Sequence, residues 1–166
     1  MSTITINTIT NMLNIKIGEQ LPDFKTMTDK GAEFTLAELK GSPTVLYFYP
    51  KDNTSGCTLE AKSLRDGKAE LQRRGYKIVG VSPDSVRSHQ NFCSKHELNF
   101  TLLADVEHSL SEAVGVWRMK KMYGREYMGI VRTTLLLDAE ARVTHIIEKV
   151  DTKDSYGQII KVLDNK

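Results

Sequence analysis

A chain of 166 residues with a formal net charge of +2 has the length of one domain and buries roughly 70% of its unfolded surface in a single core. Apolar residues make up 40% and charged residues 27%, which excludes a membrane protein and wholesale disorder, and interspersed Lys, Arg, Asp and Glu leave no nucleic-acid or membrane footprint. Two cysteines are too few for the disulfide framework of a small secreted scaffold, so a reducing compartment, the cytoplasm, is expected.

Residues 1–11 read as a Thr/Asn/Ile-rich tail or arm, without the basic start, apolar core or cleavage site of a signal peptide. Residues 12–166 read as a single domain. A short hairpin-like stretch ends near "KGAEFTLAEL", and "PTVLYFY", bounded by Pro43 and Pro50, is a buried strand. A helix of about 15 residues is expected from Cys57, followed by a second buried strand in "YKIVGVS". "PDSVRSHQNFCSKHEL", residues 83–98, predicts a helix opened by Pro83 and Asp84, and "FTLLAD" a third strand. A short helix near "HSLSEAVG" precedes a glycine-punctuated loop from Tyr123 to Gly129. "IVRTTLLLDAEARVTHIIEKV" predicts two strands about a polar turn at Ala139 to Arg142, and "DSYGQIIKVLDN" a closing helix. This alternation implies an α/β fold with a central mixed sheet of about five strands flanked by helices.

Cys57 lies where a buried strand gives way, through a tight loop, to a helix. An unperturbed thiol, with a pKa near ~8.5, is only slightly ionised at neutral pH, and the thiolate is the nucleophile. Thr54, three residues earlier, is a good N-cap type, so the sulfur falls in the first helical turn among unsatisfied N–H groups, where negative charge is favoured. Cys57, Ala61, Leu64 and Leu71 share one helix face, which turns the sulfur inward. Pro50 ends the strand stiffly and Gly56 permits close approach of the backbone. Most unpaired cysteines are buried packing residues; the end of a buried strand in an α/β fold is where ligand sites form, and that position favours chemistry.

The stretch "FYPKDNTSGCTLEA" carries Pro-x-x-x-Thr-x-x-Cys as Pro50, Thr54 and Cys57. It resembles the peroxiredoxins, in particular the bacterioferritin comigratory protein or peroxiredoxin Q subgroup. The resemblance extends through "VGVSPDS", "NFTLLAD", "GVW" and "GIVRTTLLLD", the last of which matches the place of the family's active-site arginine, here Arg132. It implies a thioredoxin-like fold and reduction of hydrogen peroxide and organic hydroperoxides by the Cys57 thiolate. It also implies thioredoxin or a similar thiol as reductant, a monomer or weak dimer, and no cofactor or metal. In this chemistry Thr54 and the first-turn N–H groups hold the peroxide while Arg132 meets the charge on the departing oxygen. Glu60, one turn past Cys57, is placed to orient Arg132 by a bidentate pair, with an exposed helix glutamate as the alternative.

The chain departs from the subgroup at two positions. Ser55 stands where proline is usual, and Lys62 where many relatives carry a resolving cysteine five residues after the first. Other members use a resolving cysteine in the next helix, so the resemblance implies that Cys93 resolves Cys57 through an intramolecular disulfide; a packed core position beside Phe92 is the alternative. A thioredoxin-type dithiol enzyme is discarded for want of a C-x-x-C pair. A metal module using His89, Cys93 and His96, at i, i+4 and i+7 of one helix, is the rival from another class, weakened because three ligands on one helix rarely converge. A binding or chaperone-like protein without turnover is the third reading.

Overall fold

The computed structural model describes residues 13–165, so the expectation for residues 1–11 lies outside it. The chain order is β1 (Lys25–Thr28), β2 (Glu33–Thr35), α1 (Leu36–Leu39), β3 (Thr44–Phe48), α2 (Ser55–Arg73), β4 (Lys77–Ser82), α3 (Val86–His96) and β5 (Thr101–Ala104). It continues with α4 (Ser109–Val114), β6 (Trp117–Met122), β7 (Arg125–Ile130), β8 (Thr133–Leu137), β9 (Val143–Ile147) and α5 (Ser155–Asp164). No helix among the described residues is long and apolar enough to cross a membrane.

The main sheet has seven strands in the order β2-β1-β5-β4-β3-β8-β9. Its five central and C-terminal strands are the ones the apolar runs predict; the N-terminal hairpin supplies the other two by pairing β1 with β5, Met27 opposite Ala104. β3 lies parallel to β4 and antiparallel to β8, and all five of its residues are buried. A strand covered on both faces has no polar side to alternate, which is why "TVLYF" is continuously apolar. Successive side chains of β3 serve opposite layers. Val45 and Tyr47 join Ala61, Leu64 and Leu71 of α2, Phe92 of α3 and Ile159 of α5. Leu46 and Phe48 join Leu39 of α1, Leu110 and Val114 of α4, and Val81.

The glycine-punctuated loop is instead a two-stranded hairpin, with β6 and β7 paired from Trp117–Ile130 to Met122–Arg125. Its turn is Tyr123-Gly124, with φ of 53° and 77°, the double positive φ of a tight hairpin turn. Two helix starts also move. α2 begins at Ser55 behind Thr54, and α3 begins at Val86, capped by the Ser85 side chain accepting from the Ser88 N–H. Pro83 and Asp84 therefore precede α3, which frees the Asp84 carboxylate for other partners.

Candidate functional site

Thr54 has the extended N-cap conformation, φ −89° and ψ 157°, but its side chain does not cap the helix. Its hydroxyl donates to the Lys51 carbonyl at 2.9 Å, which leaves the oxygen able to accept a hydrogen bond. The first turn contains no acidic residue to occupy the positive end of the helix. Cys57, the third residue of α2, is only 1% exposed. Its sulfur sits on the same inner face as Ala61, Leu64 and Leu71, the face predicted from their spacing.

Arg132, in the connection between β7 and β8, comes to this sulfur from the other end of the sequence. Its Nη2 is 3.4 Å from the Cys57 Sγ, while Nη1 donates to Glu60 Oε1 at 2.7 Å. Gly56 leaves room for the approach, because a Cβ there would lie 3.3 Å from Arg132 Nη2 and crowd it. Burial opposes the guanidinium charge, yet Cys57 and Glu60 together hold Arg132 above its ordinary value. The Glu60 pair is not bidentate as expected: Oε2 is buried without a hydrogen-bond partner, and the side chain is fully buried rather than exposed.

Burial pushes the Glu60 carboxyl from 4.5 to about 7, outweighing the pull of Arg132. The native protein therefore retains a proton that the unfolded chain has lost, and stability falls as pH rises from 4.5 through about 7. Glu60→Gln, which keeps an acceptor for Arg132 but cannot ionise, is expected to flatten this part of the profile. Chemical denaturation between pH 5 and 8 measures it; parallel profiles for the two proteins would contradict the assignment.

Lys120 is a residue that the sequence does not announce, because it belongs to β6, a stretch with no strand pattern just before the segment read as a loop. Its ammonium donates to the Ile130 carbonyl at 2.8 Å. Burial and then the Arg132 charge hold it below its ordinary value, while Cys57 acts in the opposite sense. Lys120 thus adds a second positive charge that interacts electrostatically with Cys57.

Cys93 is half-buried on α3 and packs against the same apolar cluster as Cys57, and both thiols are free. Its Sγ faces Asp29 Oδ2 at 3.7 Å. Burial, then the Asp29 charge, pushes the thiol up to about 12, so in this conformation it is a poor nucleophile. The metal reading for α3 loses its geometry: His89 is held by Asp52 and the Leu103 carbonyl, Cys93 faces Asp29, and His96 packs edge-on against Phe92.

Residues 17–146 match the family model described as the AhpC/TSA family. The chain is 45% identical over 151 residues to the Bacillus subtilis protein called peroxiredoxin Bcp, covering 91% of this chain and 96% of that one. The solved structure of Xanthomonas campestris peroxiredoxin Q superposes with a TM-score of 0.82 at 36% identity, covering 90% of this chain and 95% of that one. A structure of the same bacterium's bacterioferritin comigratory protein, from work on its alkyl peroxide reduction activity, gives 0.82 at 34% identity, with 92% and 98% covered.

Proposed function

The chain belongs to the AhpC/TSA family as a peroxiredoxin of the Bcp/PrxQ subgroup, and from this we propose how its own residues carry out peroxide reduction. The observation that supports the reading is the Arg132 guanidinium bridging the Cys57 sulfur and the buried Glu60 at the start of α2. Hydrogen peroxide and organic hydroperoxides are the substrates.

The Cys57 thiolate attacks one peroxide oxygen in line with the O–O bond. The S–O bond forms as the O–O bond breaks, sulfur goes from thiolate to sulfenic acid, and the leaving oxygen departs as hydroxide or alkoxide and takes up a proton. Arg132 and the first-turn N–H groups lie where that negative charge develops, and the Thr54 hydroxyl oxygen accepts the peroxide O–H. Pro50 fixes the chain direction into the loop. Neither cysteine needs a metal or cofactor for this step.

Cys93 then attacks the Cys57 sulfenic acid, forming an intramolecular disulfide and releasing water, and a dithiol such as thioredoxin reduces it in the cytoplasm. The Cys93 thiol, buried beside Asp29, must leave that contact before it ionises. We expect the first turn of α2 and the end of α3 to open in each cycle, a local event far below global unfolding in cost. One equivalent of peroxide added to dilute protein, followed by non-reducing electrophoresis and peptide mass spectrometry, tests it. The expected product is a monomer cross-linked between Cys57 and Cys93; a cross-linked dimer, or oxidised Cys57 beside free Cys93, would overturn the pairing. Peroxide turnover coupled to thioredoxin and its reductase tests the activity itself. Consumption that depends on both is expected, whereas none with any thiol reductant would return the chain to a binding role.

A further inference from the structure

Beneath the Cys57 loop lies a buried polar network that the steps above leave unused. Asp52, midway between Pro50 and Thr54, is 5% exposed, and His89 is fully buried. The Asp52 Oδ1 accepts from the Tyr49 hydroxyl at 2.6 Å, and Oδ2 accepts from the Ser88 hydroxyl at 2.8 Å and lies 2.7 Å from His89 Nδ1. The other ring nitrogen, Nε2, is 2.9 Å from the Leu103 carbonyl. The Asp52 N–H donates to Asp84 Oδ2 at 2.8 Å, and the Ser82 hydroxyl donates to the same oxygen at 2.6 Å.

Counting donors fixes the protonation of this network. A carbonyl oxygen only accepts, so His89 Nε2 carries a hydrogen. One proton must lie between Asp52 Oδ2 and Nδ1, and imidazole is a stronger base than a carboxylate, so Nδ1 carries it as well. Both ring nitrogens donate and the ring is a cation. The charges around it agree: Asp52 faces it from the loop and Asp84 from the β4–α3 connection, while the residue after β3 contributes the Tyr49 hydroxyl, α3 the Ser88 hydroxyl and β5 the Leu103 carbonyl. Burial opposes the charged ring, but Asp52, the Leu103 carbonyl and Asp84 more than offset it and hold His89 above its ordinary value. Asp52, Asp84 and His89 lie close together, and the direct Asp52–His89 bond joins two of these groups to each other.

We propose that the Asp52–His89 ion pair is a latch that fastens the Cys57 loop to helix α3 and positions Thr54 and Cys57 for attack on peroxide. Asp52 is two residues from the Thr54 cap, so a shift of its backbone is passed to the first turn of α2. His89 sits one helical turn before Cys93, so the latch joins the two segments that carry the thiols. Neither residue touches the peroxide; both act through the loop. The stabilisation from the raised His89 value is fully present below about pH 6.5, the ordinary histidine value, and is lost as pH rises through the elevated value of the folded ring. The inference rests on Cys57 as the peroxide-reacting thiol.

Asp52→Asn tests it with little change of shape. With its oxygen in the Oδ1 place the asparagine still accepts from Tyr49, and its NH₂ in the Oδ2 place donates to Nδ1 and to the Ser88 oxygen, so His89 becomes a satisfied neutral ring. Two readouts apply. Ring-nitrogen NMR, with the signal assigned by His89→Gln, is expected to show a doubly protonated His89 at pH 7 in the native protein and a neutral ring in Asp52→Asn. Stopped-flow oxidation of Cys57 by peroxide is expected to slow by about ten-fold at pH 7 in Asp52→Asn, the scale on which a small misplacement of reacting groups acts. A native ring that is neutral at pH 7 would overturn the proposal, as would an unchanged peroxide rate in a folded Asp52→Asn protein. Failure of the Cys57 reading is a separate result, visible as peroxide turnover that survives Cys57→Ser.

Discussion

Cys57→Ser is expected to abolish peroxide turnover while leaving the fold intact. The substitution replaces one atom at a site that is 1% exposed, and the hydroxyl retains the place beside Arg132 and the start of α2. What disappears is the ionisable, polarisable sulfur: the alcohol is not an anion at neutral pH, and it cannot become the sulfenic acid through which the oxygen atom is carried. Positive charge at the helix start and at Arg132 acts only on an atom able to carry negative charge, so the remaining site has no group on which to work. Steady-state peroxide consumption with a thiol reductant measures the effect, with a thermal melt to show that the variant folds. Turnover near the native rate would assign the chemistry to another residue.

Arg132→Lys is expected to slow Cys57 oxidation by roughly ten-fold or more. The guanidinium serves two partners from two nitrogens, Glu60 at 2.7 Å and the Cys57 sulfur at 3.4 Å. A lysine retains the charge but is a single donor point on a flexible stem, so it serves Glu60 or the sulfur and not both in a fixed geometry. Anchored by the buried Glu60, the fork is already in place when the leaving oxygen becomes negative and needs no rearrangement at that moment. Because charge is conserved, the loss reports on geometry. Stopped-flow measurement of the second-order rate constant decides it; an unchanged constant would return Arg132 to the role of a surface ion-pair partner.

The parts of this site set by local physics were legible in the sequence. "TVLYF" reads as a buried strand because every residue is apolar or β-branched, and the Cys57 face of α2 follows from helical spacing. Thr54 was placed correctly as the N-cap, although its hydroxyl turns to the Lys51 carbonyl, a choice that loop closure makes and sequence does not show. Arg132 was placed by family resemblance; nothing local distinguishes it, since its partners lie 72 and 75 positions away.

What was missed depends on tertiary context. The β6–β7 hairpin has few β-branched residues, and its turn is Tyr-Gly rather than the Asn-Gly or Asp-Gly that marks such turns, so Tyr123 to Gly129 reads as loop and the stretch before it, with Lys120, as no element. His89 was noticed only as one of three metal-type residues on a helix. Its actual partner, Asp52, is 37 positions away, and nothing at that separation marks two polar residues as a buried pair. Glu60 was read as the residue that orients Arg132, with an exposed glutamate as the alternative; its complete burial is what the helix pattern does not show.

Oxidation of the Cys57 sulfur by peroxide is tested most directly in a Cys93→Ser protein, where no second thiol can capture the product. One equivalent of hydrogen peroxide is added in the presence of a sulfenic-acid-specific carbon nucleophile, and the protein is mapped by peptide mass spectrometry. The expected result is stoichiometric labelling of Cys57; peroxide consumed with Cys57 still a free thiol would contradict it.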